Sequence, residues 1–320
     1  MLPRLIPPDN EGVQVSVIIP VYDPRFLDEA LESVAAQTYP AYEVIVVNDG
    51  APNPGEVEQL MERAPVRYRY LRQENRGPSS ARNRGIDLAR GTFLAFLDAD
   101  DCWDPAYLAE QLAALNRDPN LDLVYSDATF VGDSKFAGRR FAELNPSRVA
   151  VSCESLLRED CVLILSGVVA KKEAVVTAGL FDERFRHAED FDLWLRMLKA
   201  GAHLAFQRQV LLRRRVHAKS LSYDILRHGE QALAVLAKFQ ERSDLLHSER
   251  AAVEWRIRKL GAELAIERAK RALAQSDFDT AIGALRTGNA FFRSWKLSAI
   301  LAFLRISPAL VARVHKLRGG

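Results

Sequence analysis

Three carboxylates crowd one short stretch of this chain. In FLAFLDADDCWDP, Phe93 to Pro105, an almost wholly apolar run ends in Asp98, Asp100 and Asp101. Like charges side by side favour protonation of one member, a cation that neutralises them, or a helix start that uses them as caps. Asp104 followed by Pro105 is the better helix start, a cap residue with a first-turn proline. Asp98 and Asp100 are left needing another use. Their Asp-x-Asp spacing lets a sharply turning backbone aim both at one volume, where a hard divalent cation would neutralise carboxylates and a substrate diphosphate together. Taken alone the spacing is common, and it also serves caps and solvated loops. A second acidic cluster, Glu189, Asp190 and Asp192, opens EDFDLWLRM, where the positive end of a helix dipole favours a carboxylate.

The elements that must position these groups can be read from hydrophobic period. VSVIIPVY (Val15 to Tyr22) is a β-branched run, RFLDEALESVAAQ places Phe26, Leu27, Ala30, Leu31, Val34 and Ala35 on one helical face, and YEVIVVNDG returns as a strand. Apolar runs without alternation suit strands covered on both faces, so this βαβ unit predicts a parallel sheet between helices. YRYL, a helix opening near PSSARNRGIDLA and stopped by Gly91, TFLAFL, a helix through AYLAEQLAAL, and LDLVYSD continue the pattern to about residue 130. Polar, aromatic text from Phe130 to about Pro146 predicts short strands and loops. CVLILSGVVAKK then reads as a long strand, KEAVVTAG as a short helix ended by Gly179, AEDFDLWLRMLKAG as an amphipathic helix ended by Gly201, and AHLAF and VLLRRRVH as two strands. In an open parallel sheet, ligands bind at the carboxyl ends of the strands. IIPVYD, VVNDG and LDADD all end there, which makes one site of separate motifs.

Composition excludes several classes. The 320 residues are 48% hydrophobic and 27% charged, enough for one or two cored domains and too apolar for disorder. A net charge of +2 gives no global field for nucleic acid. Cys102, Cys153 and Cys161 form no CxxC pair, which fits a reducing compartment better than disulfides or a zinc knuckle. MLPRLIPPDNEG has no apolar core of signal length, and no apolar run reaches roughly 18 residues. A cytoplasmic protein is expected, with membrane contact at most peripheral. IPVYDPRF contains no glycine, which argues against both a dinucleotide-dependent dehydrogenase and a nucleotidyltransferase phosphate loop.

VSVIIPVYD, VIVVNDG, ENRGPSSARNRGID, FLAFLDADD and GLFDERFRHAEDFDLWLRM, in this order and at these separations, resemble the family 2 glycosyltransferases of the GT-A fold over roughly Val15 to Ser222. The resemblance implies an α/β fold with a mostly parallel, Rossmann-like sheet. It also implies transfer of a sugar from a nucleoside diphosphate sugar, a UDP-sugar favoured, to an acceptor hydroxyl with inversion, assisted by Mn²⁺ or Mg²⁺. Residue by residue it puts Pro20, Val21 and Tyr22 beside the donor base and ribose, Asp49 on the base edge, Arg76 and Arg82 near the nucleotide, Asp98 on the ribose and Asp100 on the metal. Arg82, on a helix, equally suits a structural ion pair, and Asp101 orients the turn. Asp190, of the Glu189–Asp190 pair, is the implied base. An aspartate is a weak base toward an alcohol, so proton transfer is late and coupled to bond cleavage. VHAKSLS resembles endings in which the histidine ligates the metal, here His217, with Lys219 and Ser220 close to the diphosphate; a lone histidine is otherwise structural. Trp194 and Leu195 read as packing, and Gly167 to Ala170 as lining the acceptor side. Where family members often carry Asp, this chain has Asn48.

Residues 1–222 are thus expected to form the catalytic domain, its donor half about 15–130 and its acceptor and catalytic half about 131–222. Residues 223–320 form a helical region, with helices over Ile225–Phe239, Glu249–Ala274 and Phe278–Arg286. RALAQSDFDTAIGALRTG has a tetratricopeptide rhythm without a second copy, so a plain hairpin is expected. After Asp279 no acidic residue appears, while Arg286, Arg293, Lys296, Arg305, Arg313, Lys316 and Arg318 do. A basic, apolar helical tail suits either an anionic membrane surface or packing on its own domain or a second subunit. The expected partners are a nucleotide-sugar donor and a saccharide or lipid-linked saccharide acceptor, at the inner face of the cell membrane in surface polysaccharide or glycoconjugate assembly. Nucleic acid is not among them, and a homodimer is allowed. A non-catalytic nucleotide-sugar-binding or scaffold protein with a helical arm is the alternative.

Overall fold

The computed structural model describes residues 15–41, 43–147, 150–217 and 224–306, and it falls into two compact units, Met1–Ser220 and Leu221–Gly320. The first begins with β1 (Val15–Val21), α1 (Leu27–Ala35), β2 (Glu43–Asp49), α2 (Pro54–Glu62), β3 (Tyr68–Gln73), α3 (Pro78–Leu88) and β4 (Phe93–Phe96). It continues through β5 (Cys102–Trp103), α4 (Tyr107–Arg117), β6 (Leu123–Gly132), α5 (Phe141–Leu144), α6 (Cys153–Leu157), β7 (Val168–Lys171), α7 (Lys172–Thr177), α8 (Glu189–Lys199) and β8 (Leu204–Val216). Among the described residues eight strands join one sheet in the order β3-β2-β1-β4-β7-β6-β8-β5. β3, β2, β1 and β4 are parallel neighbours, β7 runs antiparallel between β4 and β6, β8 is parallel to β6, and β5 closes the edge antiparallel to β8.

The covered, two-faced sheet follows from the unbroken apolar strands. Val15, Val17, Ile19 and Val21 of β1 pack in one core with Leu27, Leu31, Tyr107 and Leu108. Each such fully buried side chain contributes roughly 1.5–3 kcal/mol. Ile18 faces the other way, toward α3. There a side chain at Gly85 would put its Cβ 2.6 Å from Ile18 Cγ2, so α3 lies this close to β1 only because residue 85 has none. α3 ends at Leu88, ahead of the expected Gly91.

Two strand expectations are corrected. Cys161–Lys172 is not one long strand; only Val168–Lys171 pairs, after a 3₁₀ turn at Leu165–Gly167. Cys161, Leu163, Ile164 and Leu165 are buried all the same, so their apolar run records burial and not pairing. The two strands expected over Ala202–His217 are one, β8, whose register against β6 shifts on either side of Asp127. The shifts belong to a bulge around that buried carboxylate, which accepts from Arg140 Nε (2.9 Å) and Nη2 (2.8 Å) and from the Ala142 amide (3.0 Å).

The second unit comprises α9 (Ile225–Gln240), α10 (His247–Ala274), α11 (Phe278–Phe292) and α12 (Trp295–Ile306). α10 packs against both α9 and α11, and α11 against α12. Ala269, Ala272, Leu273, Ala281, Leu285 and Leu304 form a core there, with Leu297 and Leu301 partly buried against it. Among the described residues no helix is long and apolar enough to cross a membrane.

Candidate functional site

The carboxyl ends of β1, β2 and β4 meet the expected motifs. Tyr22, just past β1, is 51% exposed beside Pro20 and Val21. Asp49 ends β2 and is buried, its oxygens accepting from Gln73 Nε2 (2.8 Å), the Arg76 amide (2.9 Å) and the Gly77 amide (2.9 Å). It therefore fixes the 73–77 loop, and one lone-pair position of a carboxylate's four remains for a further donor. The turn after β2 is held by the neighbour instead. Asn48 Oδ1 accepts from the Ala51 amide (2.9 Å) and Nδ2 donates to Tyr70 Oη (2.8 Å), so the departure at this position carries the turn. Gly50 completes it at φ +68°, where a Cβ would sit 2.5 Å from the Asn75 amide nitrogen. Arg76 has an exposed guanidinium paired with Glu183 at 3.2 Å.

In the turn after β4 the three aspartates separate in role. Asp101 is buried, its amide donating to Asp98 O (3.1 Å) and its Oδ1 accepting from the Arg215 amide (2.8 Å). Burial and then the two other aspartates push its carboxyl well above the usual range. Asp100 is raised as well, by burial and Asp98, with His217 opposing. His217 Nε2 lies 3.1 Å from Asp100 Oδ2. The ring is set by Phe26, 5.6 Å between centroids, and by Arg25, whose Nη2 is 3.5 Å from Nδ1. Arg215 locks the same corner: its guanidinium lies 4.1 Å from the Phe26 ring centre and donates to Glu29 Oε2 (2.6 Å) and Asp100 O (3.1 Å). Asp98 receives Arg82 Nη2 at 2.7 Å, and its amide donates to Ser166 Oγ at 3.1 Å.

Arg82 is the connection that sequence left open. Fully buried, it donates Nη1 to Glu189 Oε1 at 2.5 Å while Nη2 holds Asp98, so it bridges the β4 turn and the start of α8. Burial works against its charge, but the two carboxylates outweigh burial and hold its pKa above the ordinary value. The rest of α3 is stitched to the same segment: Ser79 Oγ donates to Phe185 O (2.7 Å), and Asn83 exchanges hydrogen bonds with the Phe181 carbonyl and amide (2.8 and 3.0 Å). These contacts fall on Phe181, Phe185 and Glu189, in the segment where Ala188 takes a left-handed φ of +58° before α8. A non-glycine residue there costs about 1–3 kcal/mol, and the bridge holds it in place.

α8 begins with Glu189, buried, and Asp190, half-buried, whose Oδ1 accepts the Phe191 amide at 2.7 Å. Asp192 faces inward, paired with Arg196 at 2.7 Å. Trp194 and Leu195 are each 1% exposed and pack as expected. Val168, Val169 and Ala170 are fully buried inside the sheet between β4 and β6, which corrects the expectation that they line an acceptor surface. Lys219 and Ser220 lie outside the described residues. Ser166, Arg215 and Glu29 were not foreseen. The RRRV run held one of them, with no pattern to say which arginine turned inward.

The donor set fits a divalent cation. Asp100 and His217 offer one oxygen and one nitrogen at a separation suited to neighbouring positions on one ion, beside a carboxylate crowd that a cation relieves. Among the described residues no group of three or more His, Cys, Asp or Glu side chains is placed to hold a metal ion.

Glu189 gives a pH prediction. Burial first, with Asp190 adding and Arg82 opposing, pushes it up to about 7 from an ordinary 4.5. A carboxylate raised in the native state binds its proton more tightly folded than unfolded. Stability then falls as pH rises from 4.5 toward 7 and returns on acidification through that window. Asp100 and Asp101, also raised, act in the same direction. The thermal midpoint of the ligand-free chain is expected to climb between about pH 7.5 and about pH 5.5, with Glu189→Gln flattening the slope. A midpoint climbing with pH in wild type and variant alike would contradict this.

Residues 16–150 match the family model described as Glycosyl transferase family 2. A Rickettsia felis protein named an uncharacterized glycosyltransferase is 30% identical over 70% of this chain, which covers only 38% of that relative's length. RT0329 of Rickettsia typhi, likewise named, is 31% identical over 71% of this chain and 72% of its own length. Among solved structures, S. aureus TarS 1–349 in complex with UDP-GlcNAc superposes with a TM-score of 0.60 at 15% identity, over 95% of this chain and 90% of that one. The mannosyltransferase PcManGT of Pyrobaculum calidifontis, in complex with GDP-Man and Mn²⁺, does so at 0.60 and 20% identity, over 98% and 89%.

Proposed function

The chain belongs to glycosyltransferase family 2, and from that premise we propose that it moves a sugar from a nucleoside diphosphate sugar, a UDP-sugar favoured, to an acceptor hydroxyl with inversion at the anomeric carbon. The observation that carries the reading is the approach of His217 Nε2 to Asp100 Oδ2, 3.1 Å across 117 residues of sequence, at the strand ends where a donor diphosphate belongs. The fold is shared with neighbours whose structures hold UDP-GlcNAc or GDP-Man with Mn²⁺, which supports a nucleotide-sugar donor.

In this reading Pro20, Val21, Tyr22 and Asp49 border the base and ribose, Asp98 takes a ribose hydroxyl, and Arg76 reaches base or phosphate. Asp100 and His217 would hold Mn²⁺ or Mg²⁺, which when bound supplies positive charge to the departing diphosphate. Asp190 accepts the acceptor proton as the hydroxyl oxygen bonds to the anomeric carbon. The sugar–phosphate bonding pair leaves with the nucleoside diphosphate. Arg82, fixing Asp98 and Glu189 together, keeps the donor side and the base in register. The acceptor is a saccharide or lipid-linked saccharide, and the setting is surface polysaccharide or glycoconjugate assembly at the inner face of the cell membrane.

Calorimetric titration of UDP, GDP and dTDP, with and without Mn²⁺, tests the donor half. One nucleoside diphosphate is expected to bind with metal present and to weaken at least about tenfold in Asp100→Ala. Binding indifferent to both metal and substitution would sink the assignment, and a product of retained anomeric configuration would sink inversion.

A further inference from the structure

α12 carries two apolar stripes. Leu297, Leu301 and Leu304, spaced i, i+4, i+7, turn toward the core built on Ala281 and Leu285. Trp295, Phe303 and Ile306, spaced i, i+8, i+11, share the opposite face and are 76%, 59% and 80% exposed. Phe292 and Ile300, each 37% exposed, extend the apolar surface. Three large side chains on one helical face in water mark a surface with an occupant.

The surrounding charge says which occupant. From Thr280 to Gly320 the sequence has no Asp or Glu and seven Arg or Lys, of which Arg286, Arg293, Lys296 and Arg305 are exposed. Two copies of so basic a surface repel each other, whereas a sheet of lipid phosphates attracts it. Among the described residues α12 spans about 18 Å, and none of the helices there is long and apolar enough to cross a membrane.

We propose that α12 docks flat on an anionic lipid surface, with Trp295, Phe303 and Ile306 entering the headgroup and acyl boundary and the flanking basic side chains pairing with lipid phosphates. The docking stands on this surface alone and is read without donor, so it can fail or hold independently of sugar transfer.

The test is co-sedimentation of the full chain with phosphatidylcholine vesicles, with and without roughly a third of phosphatidylglycerol. Binding to the anionic vesicles is expected, weak or absent on phosphatidylcholine alone and lowered by salt. Trp295→Ser with Phe303→Ser should weaken it at least about tenfold. Replacing Arg286, Lys296 and Arg305 by Gln should weaken it roughly a hundredfold, at about fivefold per charge. All five positions are exposed, so unchanged thermal unfolding should accompany the losses. Failure to bind anionic vesicles, equal binding by wild type and variants, or a dimer in light scattering that Trp295→Ser with Phe303→Ser dissolves would each overturn the proposal, the last by assigning the face to a second copy.

Discussion

Replacing Asp190 by asparagine is expected to leave nucleotide-sugar affinity within about twofold and to lower turnover by about a thousandfold, within the range that a positioned general base contributes. The substitution keeps shape and removes the carboxylate oxygen that the proposed function makes the proton acceptor. It is read best with Asp190 in its native setting, because the side chain sits at the first turn of α8 with one oxygen on the Phe191 amide, a bond asparagine can keep. Single-turnover rates with titrated donor would separate the two quantities. Full turnover in Asp190→Asn would remove Asp190 from the proposed chemistry. An unmeasurable wild-type rate with every nucleotide sugar that binds would favour a non-catalytic binder instead.

The second large effect is structural. Arg82→Met should cost about 3–5 kcal/mol, because it keeps most of the volume but leaves Glu189 buried without its counter-charge and Asp98 without its 2.7 Å partner. The denaturant midpoint reports this, and the diagnosis is in the rescue. Glu189→Gln added to Arg82→Met should recover part of the loss, since the double variant no longer buries a lone carboxylate. Arg82→Lys should rescue poorly, because a single ammonium cannot offer two planar, divergent donors. Equal stability of wild type and Arg82→Met would mean the bridge is incidental.

Much of this was legible in the chain. β1 and β2 announced themselves through unbroken β-branched runs, and the strand-end rule then located the acidic turns correctly relative to the sheet. The helices that start at Lys172 and Glu189 end near glycines with φ of +87° and +92°, Gly179 and Gly201, as their positions suggested. What failed was text whose burial and pairing part company: Cys161–Ile164 is as apolar as a strand yet runs unpaired into the 3₁₀ turn at Leu165–Gly167, and the bulge at Asp127 erased the boundary expected inside β8. Arg82 was ambiguous because nothing local in PSSARNRGID reports that Glu189, 107 residues later, waits across the site. Asn48 and Asp49 traded the roles that adjacent polar residues at a strand end usually leave undecided, one holding the turn and the other the following loop.

The corner where Arg215 reaches Glu29 and His217 reaches Asp100 spans 186 and 117 residues of chain. Loop closure over such separations is rewarded late, and a ribosome adding about 5–20 residues each second finishes β1 to β4 many seconds before β8 emerges. The nascent chain therefore holds β1 to β4 with an acidic turn that has no imidazole beside it. Under the proposed function, competence for metal and donor switches on only with synthesis past residue 217, so arrested nascent chains stopped before and after β8 should divide sharply in their ability to retain labelled nucleotide.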